Sequence, residues 1–342
     1  ILKNTNHYFS SLDKTKHMIT HNEGGAVALA AGYHLSTKKI PCVYLQNSGL
    51  GNIVNPVLSL THQNVYNIPI LYLIGWRGSP GKKDEPQHLA QGKKTLRLLN
   101  LLDIKYLNIK KNTDLNKVYS FIKKNFKNKV SSAILVEKNV LFKKKNKFKK
   151  KTIYPDLLRH EVIENIINNK PKNLKILSTT GYTSRELYQL RKLKKSNIRD
   201  FYNVGAMGHT NMISLGYSLS KKNKILCLDG DGSLLMHMGS MAVIGHYGGK
   251  NFKHILFNNQ QHESVGGQLT PIKGLDFKFL SRGAGYKNYF FCKDLKDFKK
   301  KYKKFMFSNG PSFFEVFISP GSIENLGRPN NFKNIKKVFQ NS

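Results

Sequence analysis

Cysteine is scarce in this sequence, with three residues among 342. Cys42, Cys227 and Cys292 form no C-x-x-C pair, and their odd number argues against a disulfide framework. Each stands in or near an apolar run, so we expect all three in the core. The sequence also lacks any run of eighteen apolar residues and any signal-peptide pattern at its start, which favours a soluble, cytoplasmic protein with no membrane partner.

Acidic residues are also few, since 20 Asp and Glu face 57 Lys and Arg and the formal net charge is +37. A balance this basic suggests a polyanion as partner. The lysines, however, are spread along predicted helices and loops, with one dense block at 143–151, and no nucleic-acid-binding motif accompanies them. We therefore expect no specific nucleic-acid partner. A polyanion-binding module that needs no cofactor remains the alternative from a different functional class.

The stretch 224–267 has the pattern of a strand, a helix and a second strand. The apolar runs Ile225–Leu228 and His254–Phe257 predict the strands, and 234–247 predicts one helix that stops at a Gly-Gly pair. Ser233 occupies the position expected for the N-cap of that helix, where free N–H groups could receive a phosphate.

The two strand ends of this unit carry oxygen-bearing side chains. Parallel neighbouring strands end at the same edge of a sheet, so we expect Asp231 to lie close to Asn258 and Asn259. Gly230 and Gly232 on either side of Asp231 let a ligand approach the backbone closely. One carboxylate, one amide oxygen and a nearby carbonyl suit Mg²⁺, which completes its octahedron with water and the phosphates of a ligand.

The same residues carry a family resemblance. The Gly-Asp-Gly motif followed by the Asn pair resembles the metal and diphosphate motif of the thiamine diphosphate-dependent enzymes. The resemblance implies that Asp231, Asn259 and the carbonyl of Gln261 bind Mg²⁺, and that Gly230 and Ser233 contact the cofactor. Further segments between residues 21 and 330 resemble the phosphonopyruvate decarboxylases, with the sulfopyruvate decarboxylases as near neighbours: HNEGGAVALAAGYHL, QNSGLGNIVNPVLSL, IGWRGSPGKKDEPQH, STTGYTSRELYQL, VGAMGH and PGSIENLGRP.

Glu23 begins a predicted helix rich in alanine and glycine. From the residues alone, it is either an N-terminal acid favoured by the helix dipole or a partly desolvated acid whose pKa is raised. The resemblance implies the second reading, in which Glu23 bonds the cofactor's aminopyrimidine and promotes its imino tautomer. It also implies that Ser48 and Gly49, in the turn after the predicted strand Ile40–Leu45, line the cofactor pocket.

A charged loop follows the predicted strand Ile68–Ile74. Arg77 and His88 could supply positive charge to an anionic substrate, because recognition of a phosphonate needs several donors. Most cations in such a loop are simply solvated, so this assignment stays open.

Four further residues are candidates in the second half of the chain. Thr180 and Gly181 follow the predicted strand Lys175–Ser178 and suit diphosphate oxygens. Met207 would ordinarily be core filling, but the resemblance implies the apolar wedge that props the cofactor in its bent conformation. His262 lies in a polar loop with a Gly-Gly hinge, which suggests an active-site loop and a role in proton transfer or substrate binding.

The predicted architecture is α/β, with two doubly wound parallel-sheet domains of the thiamine diphosphate-binding fold. The expected divisions are a pyrimidine-binding domain at 1–136, a lysine-rich linker at 137–155, a diphosphate- and Mg²⁺-binding domain at 156–330 and a peripheral basic tail at 331–342. The resemblance implies an α/β unit with a Gly-Val-Pro-Asp-Ser-like turn before residue 1, so we expect an N-terminally truncated chain.

The resemblance also implies an assembly and a reaction. The cofactor is held between the first domain of one subunit and the second domain of another, so we expect a homodimer or higher homo-oligomer. The implied reaction is decarboxylation of 3-phosphonopyruvate to phosphonoacetaldehyde and CO₂, in phosphonate biosynthesis. Sulfopyruvate decarboxylation is the near alternative. A carboligase is disfavoured because no third domain lies between the two.

Overall fold

The structure is a computed structural model that describes residues 2–13, 16–141, 154–171, 173–194, 196, 199–220 and 223–341. It divides into two compact units, Ile1–Lys149 and Lys150–Ser342. Of the segment predicted as a linker, residues 142–153 lie outside the described residues.

The first unit is built on a four-stranded parallel sheet. Its strands are β1 (Cys42–Gln46), β2 (Leu71–Gly75), β3 (Lys105–Ile109) and β4 (Ser132–Val136), in the order β1-β2-β4-β3. Its helices are α1 (Asn6–Ser11), α2 (Glu23–Thr37), α3 (Leu50–Pro56), α4 (Pro86–Leu101) and α5 (Leu115–Lys127). Central strand β4 is buried at every position, which explains the apolar run from Ala133 to Val136.

The second unit contains a six-stranded parallel sheet. Its strands are β5 (Leu174–Ser178), β6 (Phe201–Tyr202), β7 (Lys224–Gly230), β8 (Phe252–Asn258), β9 (Asn288–Cys292) and β10 (Ser312–Phe317), in the order β6-β5-β7-β8-β10-β9. Its helices are α6 (Arg159–Asn168), α7 (Tyr182–Leu193), α8 (Thr210–Ser220), α9 (Asp231–Met236), α10 (Ser240–Tyr247), α11 (Phe277–Gly283), α12 (Leu295–Phe307) and α13 (Phe332–Gln340).

Both faces of this second sheet are covered. Alternate residues of β7 and β8 enter two separate apolar clusters: Leu228 and Ile255 pack in one, Cys227 and Leu256 in the other. Helices α6 and α12 contribute to the first cluster, and α9 and α10 to the second. The prediction of two doubly wound parallel-sheet α/β domains is therefore confirmed.

Three local predictions were wrong. The segment 234–247 is not one helix, because α9 ends at Met236 and α10 begins at Ser240. Ser233 is not an N-cap, since α9 already starts at Asp231 with Gly230 as its cap. Cys42 is exposed at the start of β1, whereas Cys227 and Cys292 are buried as expected.

The segment predicted as a basic tail contains α13. Phe339 of this helix is buried against Leu177 and Ile225 in a small cluster, and its carbonyl accepts a bond of 3.1 Å from Lys175 Nζ. The lysines of α13 stand on the outer face of an amphipathic helix, and the apolar side docks on the sheet. No helix among the described residues is both long enough and apolar enough to span a bilayer.

Candidate active site

Asp231 stands at the carboxyl end of β7, where α9 begins. Its side chain is buried, and Oδ2 accepts a hydrogen bond of 2.9 Å from Thr270 Oγ1. Thr270 reaches it because the chain after β8 folds back on itself: the Thr270 N–H bonds the Gln260 carbonyl at 2.9 Å, and Gln261 pairs with Leu269. The loop 260–270 therefore closes over the end of β7.

Asn259 lies next to Asp231 across the sheet. Strands β7 and β8 are paired in parallel up to Gly230 and Phe257, so the two residues leave the sheet at the same edge. The Gln261 N–H donates to Asn259 Oδ1 at 3.1 Å. Asn258 points elsewhere, since its amide donates to Glu315 Oε1 at 2.8 Å.

The chemistry of this donor set fits a hard cation. Burial raises the pKa of Asp231 to about 6, although hydrogen bonds from Thr270 and from the Gly232 and Gln261 N–H groups act in the opposite direction. A buried carboxylate is disfavoured in this way unless a cation compensates its charge. Carboxylate, amide and carbonyl oxygens are ligands that Mg²⁺ accepts, so Asp231, Asn259 and the Gln261 carbonyl fit the predicted metal.

Ser233 joins three chain segments inside this edge of the sheet. Its hydroxyl exchanges a hydrogen bond of 2.9 Å with Thr179 Oγ1 and accepts from the Gly208 N–H at 3.2 Å. Ser233 is buried within α9, so it ties together the ends of β5 and β7 and the loop that precedes α8.

The other cofactor candidates of this unit lie in the chain segments that Ser233 joins. Thr180 and Gly181 directly follow Thr179 at the end of β5, and Gly181 has a positive φ of 95° that favours glycine. A Cβ on Gly181 would lie 2.9 Å from Ser264 Oγ, so the loop 260–270 also approaches this turn. Met207 is half-buried beside Gly208, and Gly230 is half-buried as the cap of α9.

His262 packs on the first turn of α9. A Cβ on Gly232 would lie 2.5 Å from His262 Nδ1, so the ring occupies the space that this glycine leaves. Burial lowers the pKa of His262 below its usual value, which favours the neutral imidazole. The carbonyl of His262 accepts N–H bonds from Val265, Gly266 and Gly267, which closes the tip of the loop.

A buried ionic network adjoins Asn259, and the sequence reasoning missed it. Arg159 is 4% exposed and donates to Glu263 Oε2 at 2.5 Å and to Glu186 Oε2 at 3.4 Å. Glu263 also accepts from Asn259 Nδ2 at 2.9 Å. The available signals were Glu263 four residues after Asn259, and an arginine as the first residue of α6.

Behind the site, Cys227, Asp229 and His254 are fully buried, with potential ligand atoms within 4.8 Å of one another. His254 Nε2 lies 3.5 Å from Asp229 Oδ2, while its Nδ1 bonds Tyr286 Oη at 3.0 Å. Asp229 Oδ1 accepts the Gly230 N–H at 2.9 Å. These contacts stabilise the end of β7 from the core side.

In the first unit, Glu23 is the first residue of α2, after its N-cap Asn22. Asn52 Nδ2 donates to Glu23 Oε2 at 2.7 Å, and Asn52 was another residue to which sequence reasoning gave no role. A Cβ on Gly49 would lie 2.3 Å from Glu23 Oε1, so only glycine lets the carboxylate lie there. Ser48, the residue before Gly49, is exposed and accepts from Gln46 Nε2 at 2.8 Å.

Arg77 and His88 lie around one tightly packed turn. The Arg77 guanidinium binds both oxygens of Asp84, through Nε at 2.7 Å and through Nη2. Burial alone would raise the pKa of Asp84, but the bonds from Arg77 and from the backbone hold it well below its usual range. Gly78 has a φ of 64°, and a Cβ there would lie 2.0 Å from the His88 carbonyl oxygen.

Comparison with known proteins gives two family matches, which cover much of each unit. Residues 2–96 match the family described as "Thiamine pyrophosphate enzyme, N-terminal TPP binding domain", and residues 179–316 match "Thiamine pyrophosphate enzyme, C-terminal TPP binding domain". The second match contains the Asp231 and Asn259 site, and the first contains Glu23.

Curated relatives extend the similarity along the chain. It is 32% identical over 331 residues to the phosphonopyruvate decarboxylase of Streptomyces viridochromogenes, covering 92% of this chain and 82% of the relative. The phosphonopyruvate decarboxylase of Streptomyces hygroscopicus is also 32% identical, with 92% and 81% covered. The sulfopyruvate decarboxylase of Methanosarcina acetivorans is 26% identical over 335 residues, with 91% and 83% covered.

Proposed function

Because this chain belongs to the family of thiamine pyrophosphate enzymes that includes the phosphonopyruvate decarboxylases, we propose that it decarboxylates 3-phosphonopyruvate to phosphonoacetaldehyde and CO₂. The observation that carries the proposal is that Asp231 and Asn259 follow the paired ends of β7 and β8 at one edge of the second sheet, where the Gln261 N–H bonds Asn259 Oδ1 at 3.1 Å. We propose that Asp231, Asn259 and the Gln261 carbonyl hold Mg²⁺ there, and that the metal holds the cofactor's diphosphate.

The cofactor, when bound, supplies the electron sink that makes loss of CO₂ from a 2-oxo acid feasible. The protein's part is positioning and proton transfer. We propose that Ser233, Thr180 and the glycines Gly181 and Gly230 shape the surface on which the diphosphate lies. Met207, half-buried beside Gly208, is the proposed apolar support for the cofactor.

Glu23 is the proposed proton-exchanging group. Its Oε2 is engaged by Asn52 at 2.7 Å, so we assign the exchange to Oε1, which lies against Gly49. We propose that Ser48 and Gly49 line the same part of the pocket. His262, which burial biases toward the neutral form, is the proposed second acid–base or substrate-binding group.

We propose that the active assembly is a homodimer or a higher homo-oligomer, with active sites shared between subunits. This proposal is supported by the family resemblance of the sequence, which implies that one cofactor is held between domains of two subunits. Size-exclusion chromatography with light scattering tests this arrangement, and a monomer that retains full turnover would contradict it.

The phosphonate is the proposed second anionic group of the substrate, beside the carboxylate. Arg77 and His88 are proposed contacts from the first unit. Nε and Nη2 of Arg77 bind Asp84, so we assign any substrate contact to Nη1. Over nearly the whole chain the identity is 32% to a phosphonopyruvate decarboxylase and 26% to a sulfopyruvate decarboxylase, which supports phosphonate over sulfonate. We propose phosphonate biosynthesis as the pathway of the product.

Sulfopyruvate decarboxylation is the second candidate, because the Methanosarcina acetivorans relative aligns over nearly the whole chain. Initial rates with phosphonopyruvate and sulfopyruvate, each varied at saturating cofactor, separate the two. We expect a higher kcat/KM for phosphonopyruvate. A higher value for sulfopyruvate would keep the chemistry and overturn the substrate.

Cofactor binding is the test that does not depend on substrate. Isothermal titration calorimetry should show binding of thiamine diphosphate with Mg²⁺ present and none after EDTA treatment. Retention on heparin in moderate salt without any cofactor binding would instead support a polyanion-binding protein.

A further inference from the structure

Glu263 lies at the convergence of three hydrogen-bond donors. Its Oε2 accepts from Arg159 Nη2 at 2.5 Å and from Asn259 Nδ2 at 2.9 Å, and its Oε1 accepts from the Gly321 N–H. We infer that Glu263, held by Arg159, is a positioning residue that fixes the amide of Asn259 for Mg²⁺. The inference rests on the proposed function, because it assigns a role within the same metal site.

The chemistry of the partners decides which way the amide faces. Both oxygens of Glu263 accept N–H bonds, and Nδ2 is the atom of Asn259 that faces Oε2. The amide oxygen is then turned to the other side, where it meets the Gln261 N–H at 3.1 Å. A flipped amide would set its oxygen against Oε2 of Glu263 and its nitrogen against the Gln261 N–H. Both contacts of the flipped form would be repulsive.

The orientation fixed in this way is the one that the metal site needs. Asn259 Oδ1, bonded to the Gln261 N–H, is turned away from Glu263, and Asp231 leaves the sheet at the same edge as Asn259. Partners of metal ligands that hold them in one orientation commonly contribute strongly to metal affinity. Glu263 therefore acts on the metal through Asn259, without contacting it.

Arg159 holds the Glu263 side chain in a mostly buried position. The Glu263 side chain is 16% exposed and that of Arg159 is 4% exposed. The guanidinium donates to Oε2, the same oxygen that accepts from Asn259 Nδ2. Bonds from a guanidinium to a carboxylate are strong and directional, so Arg159 fixes the position of the acceptor that the Asn259 amide meets.

Glu186 offers a matched control within the same network. It binds the same guanidinium at 3.4 Å and accepts the Ile323 N–H at 3.2 Å, two residues from the Gly321 contact of Glu263. Its described bonds do not include Asn259. Changing Glu186 should therefore disturb Arg159 and the segment 321–323 without releasing the amide.

The test compares Glu263→Gln with Glu186→Gln. A glutamine at 263 replaces one acceptor oxygen by a donor, so it cannot accept from Arg159, Asn259 and Gly321 together. The readout is the Mg²⁺ concentration that gives half-maximal binding of thiamine diphosphate, measured by equilibrium dialysis. We expect Glu263→Gln to raise this concentration at least about tenfold, and Glu186→Gln to leave it within about twofold of the wild type.

The outcomes separate the inference from the proposed function. A wild type that binds no thiamine diphosphate with Mg²⁺ would overturn the proposed function. Binding in the wild type, with equal Mg²⁺ requirements in the two variants, would overturn only the role of Glu263. If Glu263→Gln does not fold, Arg159→Lys gives the second test, because lysine keeps the charge but lacks the planar fork. It should raise the Mg²⁺ requirement, and an unchanged requirement would also overturn the inference.

Discussion

The side-chain amide of Asn52 donates a hydrogen bond of 2.7 Å to Oε2 of Glu23. Asn52 lies in α3 and Glu23 opens α2, so the bond fixes one carboxylate oxygen between two helices. Gly49 provides the space for the other oxygen. The carboxylate is thus oriented before any ligand binds, which is the arrangement expected of a proton-exchanging group.

Glu23→Gln should lower kcat by at least about 100-fold, because glutamine cannot exchange the proton. Its side-chain oxygen can still accept from Asn52, so the fold should be preserved. Turnover, calorimetric binding of thiamine diphosphate and the thermal midpoint are measured together. Unchanged binding and midpoint with lost turnover support the role of Glu23. Turnover close to that of the wild type contradicts it.

Asp231→Asn should change how the stability of the metal-free protein depends on pH. Burial raises the pKa of Asp231 to about 6 in the folded state, against about 3.9 in an unfolded chain. The folded protein therefore binds this proton more tightly. The group's contribution to stability is fully present below about pH 4 and is lost as the pH rises through about 6. At pH 7 the ionised carboxylate should cost on the order of 3 kcal/mol.

The variant lacks this ionisation, so metal-free Asp231→Asn should be more stable than the wild type at pH 7. The difference in free energy of unfolding should shrink as the pH falls toward 5. Urea denaturation of both proteins in EDTA, at several pH values, measures it. A difference that does not vary with pH would contradict the account, as would a variant less stable than the wild type at pH 7.

Gly232→Ala should displace the His262 ring, because the new Cβ would lie 2.5 Å from Nδ1. We expect a fall of at least about tenfold in kcat/KM if His262 acts in proton transfer or substrate binding. Gly216→Ala is the matched control. Gly216 lies in α8, and a Cβ there would meet no atom within 4 Å. The control should retain full activity and gain about 0.5–1 kcal/mol of stability. Equal kinetics in the two variants would remove His262 from the site.

Ser233→Ala should reduce the free energy of unfolding by about 1–3 kcal/mol, because it leaves Thr179 Oγ1 and the Gly208 N–H without their buried partner. Ser59→Ala is the comparison, since its hydroxyl bonds the Asn55 carbonyl at an exposed position. That change should stay within about 0.5 kcal/mol. Urea denaturation measures the free energy of unfolding of both variants. Equal decreases would show that the buried bonds of Ser233 do not stabilise the fold.

The sequence was sufficient for the architecture of both units. Apolar runs bounded by glycine and asparagine predicted the strands. Because parallel neighbouring strands end at the same edge of a sheet, the sequence also predicted that Asp231 and Asn259 lie at one edge. These predictions succeed because a strand that is buried on both faces of a parallel sheet needs a continuous apolar run, which is visible in a few consecutive residues. The position of Glu23 as the first residue of α2 could also be predicted, because its N-cap Asn22 is adjacent in the chain.

The parts that the sequence did not reveal depend on contacts between distant residues. Arg159 and Glu263 are 104 positions apart, and Thr270 reaches Asp231 across 39 positions. No feature of the neighbouring sequence indicates that such distant residues are in contact. The break between α9 and α10 was missed because the residues between the two helices, His237, Met238 and Gly239, include no proline. Ser233 resembled an N-cap, although the helix begins two residues earlier.

The proposed decarboxylation is tested most directly by the release of CO₂ from phosphonopyruvate. The purified protein is assayed with Mg²⁺, with thiamine diphosphate present and after its removal. The account predicts CO₂ release and equimolar phosphonoacetaldehyde with the cofactor, and neither without it. A protein that binds thiamine diphosphate but releases no CO₂ from phosphonopyruvate would contradict the proposed reaction.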